Sequence, residues 1–168
     1  MNNDIVTIIK FLHVNIVRNY ATYTAIHNDF ERLSQSNFWR ITYNATLDIA
    51  VIDWCKLFGG YKETTHYRNC TERGINDFAA QVLSVCKIIE PEYGSLHSSI
   101  IKYRDKAAVH IDLDDWRLDI PYLKKAIDVT YASFDIFTQN CGLQDLDLRM
   151  EFDAQSLSTA TAIDRSLR

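Results

Sequence analysis

Glycine and proline are scarce in this chain of 168 residues, which contains five glycines and two prolines. A β-sandwich or barrel needs many tight turns, and those turns draw on both residue types. The apolar residues also rarely alternate with a period of two, which is the pattern of a half-buried strand. The scarcity of turn residues and the missing alternation together predict an all-α fold.

The chain also lacks an excess of positive charge and any long apolar run. Its 18 lysines and arginines stand against 22 aspartates and glutamates, so the formal net charge is −4 and gives no general attraction to nucleic acid or an anionic membrane. No stretch approaches the roughly 20 apolar residues of a membrane span. Lys10 interrupts the short apolar run at the N-terminus, which is untypical of a signal peptide. We therefore expect a cytoplasmic protein without a membrane segment.

Cysteines are few and widely spaced. Cys55, Cys70, Cys86 and Cys141 form no C-x-x-C pair, which argues against a zinc ribbon and against a small disulfide scaffold. His66 and Cys70 have the spacing of two metal ligands, but no second pair completes a site. We expect free thiols, and neither a metal nor another cofactor.

Apolar residues recur at intervals of three and four, and this spacing predicts helices. The predicted helices cover about residues 4–33, 36–58, 72–89, 95–109 and 122–140. Gly59 and Gly60 are expected to end the second helix in the left-handed conformation, and Pro91 is expected to stop the third, whose buried face includes Ile89. The result is one bundle of four to five helices over residues 1–142, followed by a peripheral or partly mobile tail over residues 143–168.

Trp54 and Leu57 continue the apolar stripe of the second predicted helix, so both are expected in the core. His13, His27 and His97 stand alone in the sequence. Each of these histidines is expected to pack in the interior or to face solvent, rather than to act in catalysis.

Residues 100–116, IIKYRDKAAVHIDLDDW, place Arg104, Asp105 and His110 at the end of an apolar helical pattern. Successive residues of an α-helix turn by about 100°, so Arg104 and His110 would lie about 120° apart and not on one face. If the helix ends near Val109, His110 can turn back. In a two-fold dimer each Arg104 could then face His110 of the other copy, which would form a composite site.

This stretch resembles the signature of HEPN domains (higher eukaryotes and prokaryotes nucleotide-binding). In that family an arginine is followed by a polar residue and then by a histidine near the end of a helix, and RDKAAVH matches with Arg104, Asp105 and His110. Residues 49–67, IAVIDWCKLFGGYKETTHY, also resemble the second-helix region of abortive-infection-type HEPN proteins. The chain departs mildly from the family at Asp105, where the commonest residue is Asn.

The resemblance implies a homodimeric helical bundle that acts as a metal-independent endoribonuclease in a defence or toxin–antitoxin system. His110 would move protons at the ribose 2′-hydroxyl and the leaving oxygen, and Arg104 would hold the scissile phosphate. Asp105 would orient one of them, and the positive charges of Lys102 and Lys106 would bind RNA. The implied partners are a second copy, RNA and a cognate antitoxin.

Two other interpretations stay open. In the first, the chain is a non-catalytic HEPN-like interaction module whose motif supports the dimer interface, and the acidic net charge favours this. In the second, Asp105 pairs with Lys102 on the helix surface and Arg104 bridges to Asp112 or Asp114. His110 then caps the end of a helix. The direction of Arg104 separates the enzyme from the module, because a solvent-reached cleft favours the enzyme and an intrachain salt bridge favours the module.

Overall fold

A computed structural model describes residues 3–60, 62–66, 77–108, 123–141 and 146–167, and all of the regular secondary structure in these ranges is helical. Its helices are α1 (Asn3–Asn28), α2 (Phe30–Leu33), α3 (Asn37–Phe58), α4 (Phe78–Cys86), α5 (Glu90–Tyr103), α6 (Leu123–Cys141) and α7 (Leu148–Ser166), and a π-helical turn (Arg104–Ala108) continues α5. The all-α prediction is confirmed. These seven helices exceed the four to five predicted, because the first predicted helix is interrupted at Asp29 and the expected tail contains α7.

Among the described residues, no helix combines the length and the apolar character that a membrane crossing requires.

Helices α1 and α3 pack against each other in an antiparallel pair. Asn15 Nδ2 of α1 donates to Asp53 Oδ2 of α3 at 2.6 Å, and the rings of Tyr23 and Tyr43 stack with centroids 4.6 Å apart. An early residue of α1 therefore meets a late residue of α3, and a late residue of α1 meets an early one of α3. This pair forms the scaffold on which the other described helices are placed.

Trp54 and Leu57 lie in the core, as the sequence predicts. Trp54 is 1% exposed and Leu57 is 2% exposed. The indole Nε1 of Trp54 donates to the carbonyl oxygen of Ala126 in α6 at 3.3 Å, and its ring lies 5.0 Å from that of Phe58. The polar atom of the buried indole is thus satisfied, and the side chain connects α3 to α6.

Helix α3 ends where the sequence predicts, but by a different mechanism. Gly59 has φ −77° and ψ −104°, so the prediction that it adopts the left-handed conformation is wrong. A Cβ at Gly59 would lie 2.4 Å from the carbonyl oxygen of Cys55, which no ordinary contact allows. Glycine is required at position 59 because the backbone there lies too close to the Cys55 carbonyl group to leave room for a side chain. His97 Nε2 of α5 donates to the Phe58 carbonyl at 3.0 Å and satisfies a helix-end acceptor.

The connection from α4 to α5 also differs from the prediction. Lys87 adopts the left-handed conformation with φ 54° after α4, and α5 begins at Glu90. Pro91 therefore lies in the first turn of α5, where its missing N–H removes no helical hydrogen bond. Ile89, which the pattern predicted to be buried, is 67% exposed in this connection. Residues 67–76, which include the predicted start of the third helix, lie outside the described residues.

Helix α7 packs along α1. Its residues Leu148 and Ile163 are buried, and Glu151 Oε2 accepts from Arg18 Nη2 of α1 at 2.7 Å. The exposed ion pair contributes only about 0–1 kcal/mol, so burial of the two aliphatic side chains holds the helix in place. Asp147 caps its start by accepting from the backbone N–H of Arg149 at 2.8 Å.

One histidine lies inside the core between α1 and α6. His13 Nδ1 is 2.7 Å from the carbonyl oxygen of Ile9 and therefore donates to it, and Nε2 is 2.8 Å from Ser133 Oγ. The imidazole stacks against Phe137, with ring centroids 6.2 Å apart. Burial lowers the pKa of His13 to about 4, although the hydrogen bond to Ile9 acts in the opposite direction. His13 is therefore a neutral packing residue at neutral pH.

Truncation of the buried indole tests the core assignment. We expect Trp54→Ala to lower the free energy of unfolding by about 3–5 kcal/mol, because it leaves a large cavity and removes the hydrogen bond to α6. Leu157→Ala, at a position of α7 that is 71% exposed, is the control and should cost less than about 0.5 kcal/mol. Urea denaturation measures both. A cost below about 1 kcal/mol for Trp54→Ala would contradict the core packing.

The buried imidazole predicts acid sensitivity. The pKa of His13 is about 4 in the folded chain, below its ordinary value of 6.5, so the stability contributed by neutral burial is fully present above pH 6.5. It is lost as the pH falls toward 4, and this single group should lower the free energy of unfolding by up to about 3 kcal/mol. We expect the pH dependence measured by urea denaturation to be less steep in His13→Gln. Parallel curves for the two proteins would show that His13 is not the group responsible.

Candidate functional site

The π-helical turn positions Arg104, its first residue. Hydrogen bonds in a π turn join residues five apart, and such turns are frequent at functional sites. The α-helical angle of about 100° per residue therefore does not hold over Arg104–Ala108. The preceding residue, Tyr103, is buried and donates its hydroxyl to Asp48 Oδ1 of α3 at 2.9 Å. This bond anchors the end of α5 to α3 just before the arginine.

Arg104 lines an open depression of about 500 Å³ at the C-terminal end of α3. The described residues that line it are Ile52, Cys55, Lys56, Gly60, Lys62, Glu63 and Arg104. Three of these side chains are cationic and one is a carboxylate. Lys56 Nζ is 2.7 Å from Asp53 Oδ1, which offsets part of that charge. The depression is nonetheless richer in positive charge than the chain as a whole, whose net charge is −4.

Arg104 also forms an ion pair with its neighbour Asp105. Its Nε and Nη2 donate to Asp105 Oδ1 at 2.8 Å and 2.6 Å. The two side chains are 29% and 54% exposed, so the pair is screened by solvent and is worth about 0–1 kcal/mol. Arg104 thus both faces a solvent-reached depression and takes part in an intrachain salt bridge, and its direction alone does not separate the enzyme from the module.

A buried thiol lies behind the arginine. Burial raises the pKa of Cys55 to about 11, while the charge of Arg104 and a hydrogen bond from it act to lower the pKa. The thiol is therefore protonated at neutral pH and is a poor nucleophile. Cys86, whose pKa burial also raises to about 11, is equally unsuited. Cys55 and Cys86 carry free thiols, as expected.

No metal centre is formed by the side chains in the described ranges. No group of three or more His, Cys, Asp or Glu side chains there could hold a metal ion. His66 is 2% exposed, and Cys70, the second residue of the possible ligand pair, lies outside the described residues.

The residues predicted for the site are only partly brought together. His110 lies within residues 109–122, outside the described part of the chain. Lys102 is exposed on α5 and Lys106 is half-buried in the π turn, but neither is among the described residues that line the depression. Arg104 and Asp105 are in contact. The structure therefore places other lysines beside the arginine than the two chosen from the sequence.

Lys56 and Lys62 are the residues that the sequence analysis missed. They lie on either side of Gly59 and Gly60, and both line the same depression as Arg104. The one signal that could have found them is their position inside the stretch IAVIDWCKLFGGYKETTHY, which carries the second-helix resemblance. Without the packing of α5 on α3, nothing connects them to Arg104.

An exposed apolar stripe on α3 leads to this depression. At about 100° per residue its members fall within an arc of about 80° on one helical face. They are Phe38, Ile41, Ala45, Ile49 and Ile52. Phe38, Ile41 and Ile49 are 66%, 68% and 41% exposed, and Ile52 lines the depression itself. We call this set the α3 stripe; contiguous exposed apolar surface of this kind marks interaction sites.

Comparison with protein-family models, with curated proteins and with solved structures finds no match to this chain. The likeness to HEPN domains accordingly rests on the residues of the chain itself, above all on Arg104, Asp105 and His110.

Proposed function

We propose that the protein is a HEPN-type, metal-independent endoribonuclease of a cytoplasmic defence or toxin–antitoxin system. The observation that carries the proposal is the position of Arg104 in a depression that also contains Lys56 and Lys62. Three cationic side chains and one carboxylate line it in a chain whose net charge is −4, so an RNA backbone has a local reason to bind, and it would compete there with the aspartates that pair with Lys56 and Arg104. Contacts of lysine and arginine with phosphate supply the sequence-independent part of such binding.

The proposed reaction uses the RNA as its own nucleophile. The ribose 2′-oxygen attacks the adjacent phosphorus while the bond from phosphorus to the 5′-oxygen of the next nucleotide breaks. His110 accepts the 2′-hydroxyl proton or donates one to the leaving 5′-oxygen, and Arg104 stabilises the charge that gathers on the phosphate. The products are a 2′,3′-cyclic phosphate and a 5′-hydroxyl, and the step needs no metal.

Asp105 would position Arg104 rather than contact the RNA. It accepts from Nε and Nη2 of the guanidinium, which fixes the plane of the fork. A carboxylate repels phosphate, so its place beside the arginine rather than in the lining of the depression agrees with a positioning role. Because the pair is exposed and weak, phosphate can compete for the same N–H groups.

A homodimer would complete the site, and we assign the α3 stripe to the dimer interface. The stripe is apolar and lies between α1, which contacts α3 through Asp53, and α5, which contacts it through Asp48. Its end at Ile52 borders the depression. A two-fold axis near that end would bring two copies of the Arg104 region together, so that each copy could supply residues to the other.

A non-catalytic interaction module is the second candidate function. The ion pair of Arg104 with Asp105 favours it, because the guanidinium already has a partner in the absence of RNA. In this case the α3 stripe serves partner binding, and the motif supports the interface without chemistry.

Charge placed in the α3 stripe tests the dimer. We expect the wild-type chain to sediment as a dimer at micromolar concentration, and Ile41→Glu to sediment as a monomer with its helical circular dichroism unchanged. Leu157→Glu, at an equally exposed position of α7, is the matched control and should stay dimeric. An interface that buries more than roughly 1,000 Å² is expected. A monomeric wild type, or a dimer that Ile41→Glu leaves intact, would contradict the assignment.

Substitutions in the site test the proposed roles. On labelled RNA with chelator present, wild-type protein should release a product ending in a cyclic phosphate. His110→Ala should abolish cleavage and leave RNA binding largely intact, whereas Arg104→Ala should weaken both. Arg104→Lys should rescue poorly, because an ammonium lacks the two-pronged fit of guanidinium to phosphate oxygens.

Substitution of two lysines, one inside the depression and one outside it, tests the RNA surface. Lys62→Ala should weaken RNA binding by a few-fold, since Lys62 lines the depression. Lys87→Ala, at an exposed position between α4 and α5, should have no effect. Wild-type protein that leaves diverse RNAs uncut would favour the interaction module, and cleavage that persists in His110→Ala would defeat the assignment of the site.

A further inference from the structure

A second cavity lies away from the Arg104 depression, between the end of α3 and helices α4, α5 and α6. Its volume is about 260 Å³, and the described residues that line it are Phe58, Phe78, Ala79, Val82, Leu83, Glu90, Tyr93, Gly94 and Val129. None of these residues lines the Arg104 depression. An apolar cavity of about 150 Å³ is enough to bind benzene, so this one has room for a phenyl ring with a short chain.

The inner wall of the cavity is rigid and apolar. Phe58 and Phe78 are buried in the main core, 3% and 2% exposed, and Val129 of α6 is buried with them. Buried side chains in close-packed surroundings do not swing to fill a neighbouring space without disturbing the core. The cavity is therefore a property of how the four helices pack, and it presents aromatic side chains to a ligand.

Gly94 lies in one wall of the cavity. It lies inside α5, where glycine is less favourable than alanine. A Cβ at Gly94 would meet no atom within 4 Å, so no close approach of the backbone requires glycine there. This contrasts with Gly59, where a Cβ would collide with the backbone. Position 94 can therefore carry a small side chain without a collision, whereas a long side chain there could reach into the cavity.

Glu90 is the one charged residue among the described residues of the lining. It is exposed in the first turn of α5 and pairs with no other described residue. Its neighbour Glu92, in the same turn, is instead paired with Lys125 of α6. The cavity thus combines an apolar aromatic interior with one carboxylate that has no cationic partner among the described residues, an arrangement that selects for a ligand with an apolar body and a positive end.

We propose that this cavity binds a small arylalkyl amine, with the aromatic ring against Phe58 and Phe78 and the ammonium at Glu90. The ring gains burial of apolar surface and edge or face contacts with the two phenylalanines. The ammonium gains a charge-assisted hydrogen bond. The inference does not depend on the proposed ribonuclease activity, because the two sites share no lining residue among those described.

A matched ligand series tests the charge selectivity. The probes are 3-phenylpropylamine, 3-phenylpropan-1-ol and 3-phenylpropanoate, titrated at pH 7.5 while the methyl NMR signals of Val82, Leu83 and Val129 are followed. We expect the amine to bind about threefold to tenfold more tightly than the alcohol, and the carboxylate to bind most weakly. Glu90→Gln should lower the affinity for the amine to that for the alcohol, while Glu92→Gln should leave the preference intact.

Filling the cavity from two sides tests its location. Ala79→Leu from α4 and Gly94→Leu from α5 should each weaken binding of the amine and the alcohol by at least about tenfold, while circular dichroism and thermal unfolding show a folded chain. Gly94→Ala is the matched control and should retain binding, since a Cβ there has open space. Arg104→Ala should also retain it, which separates this site from the proposed RNA site.

Three results would overturn the inference. The first is the absence of methyl shifts with any probe at millimolar concentration. The second is equal affinity for the three head groups in the wild-type chain, and the third is unchanged binding in both folded leucine variants.

Discussion

The packing of α3 between its neighbours is the constraint on which the other features depend. Trp54 is buried and bonded to the backbone of α6, Asp53 meets Asn15 of α1, and Asp48 receives the hydroxyl of Tyr103 at the end of α5. With these three sides held, one face of α3 remains exposed as the apolar stripe. The same contacts place the π turn and Arg104 beside the C-terminal end of α3. Both the proposed dimer surface and the proposed RNA surface follow from how this helix is held.

Helical periodicity was enough to predict the fold class and the burial of Trp54 and Leu57. The start and end of α3, the burial of Trp54 and Leu57, and the helix over Leu123–Cys141 all follow from apolar spacing with capping and glycine signals. The errors arise where one residue type serves two structural purposes. Pro91 can stop a helix or lie in its first turn, and only the left-handed Lys87 before it decides which. Gly59 can supply a positive φ or a close approach, and the packing selects the second.

In the candidate site, only the contacts between residues that are close together in the sequence could be predicted. Arg104 and Asp105 are adjacent in sequence, and their pairing needs no tertiary information. Lys56 and Lys62 reach the arginine because α5 is anchored to α3 through Tyr103 and Asp48, a contact between residues far apart in the sequence. The same is true of the cavity around Gly94, which is formed by four helices and leaves no pattern in any one of them. Tertiary packing, rather than composition, brings three cationic side chains of an acidic chain together at one end of α3.

Complementation between two inactive variants tests the central claim of a composite ribonuclease site most directly. Arg104→Ala and His110→Ala proteins, each inactive on labelled RNA, are mixed under conditions in which subunits exchange. In a mixed dimer one pairing of Arg104 with His110 across the interface is intact, so cleavage should return to as much as about a quarter of the wild-type rate when half of the dimers are mixed. A mixture that forms mixed dimers and still leaves the RNA uncut would contradict a site shared between two copies.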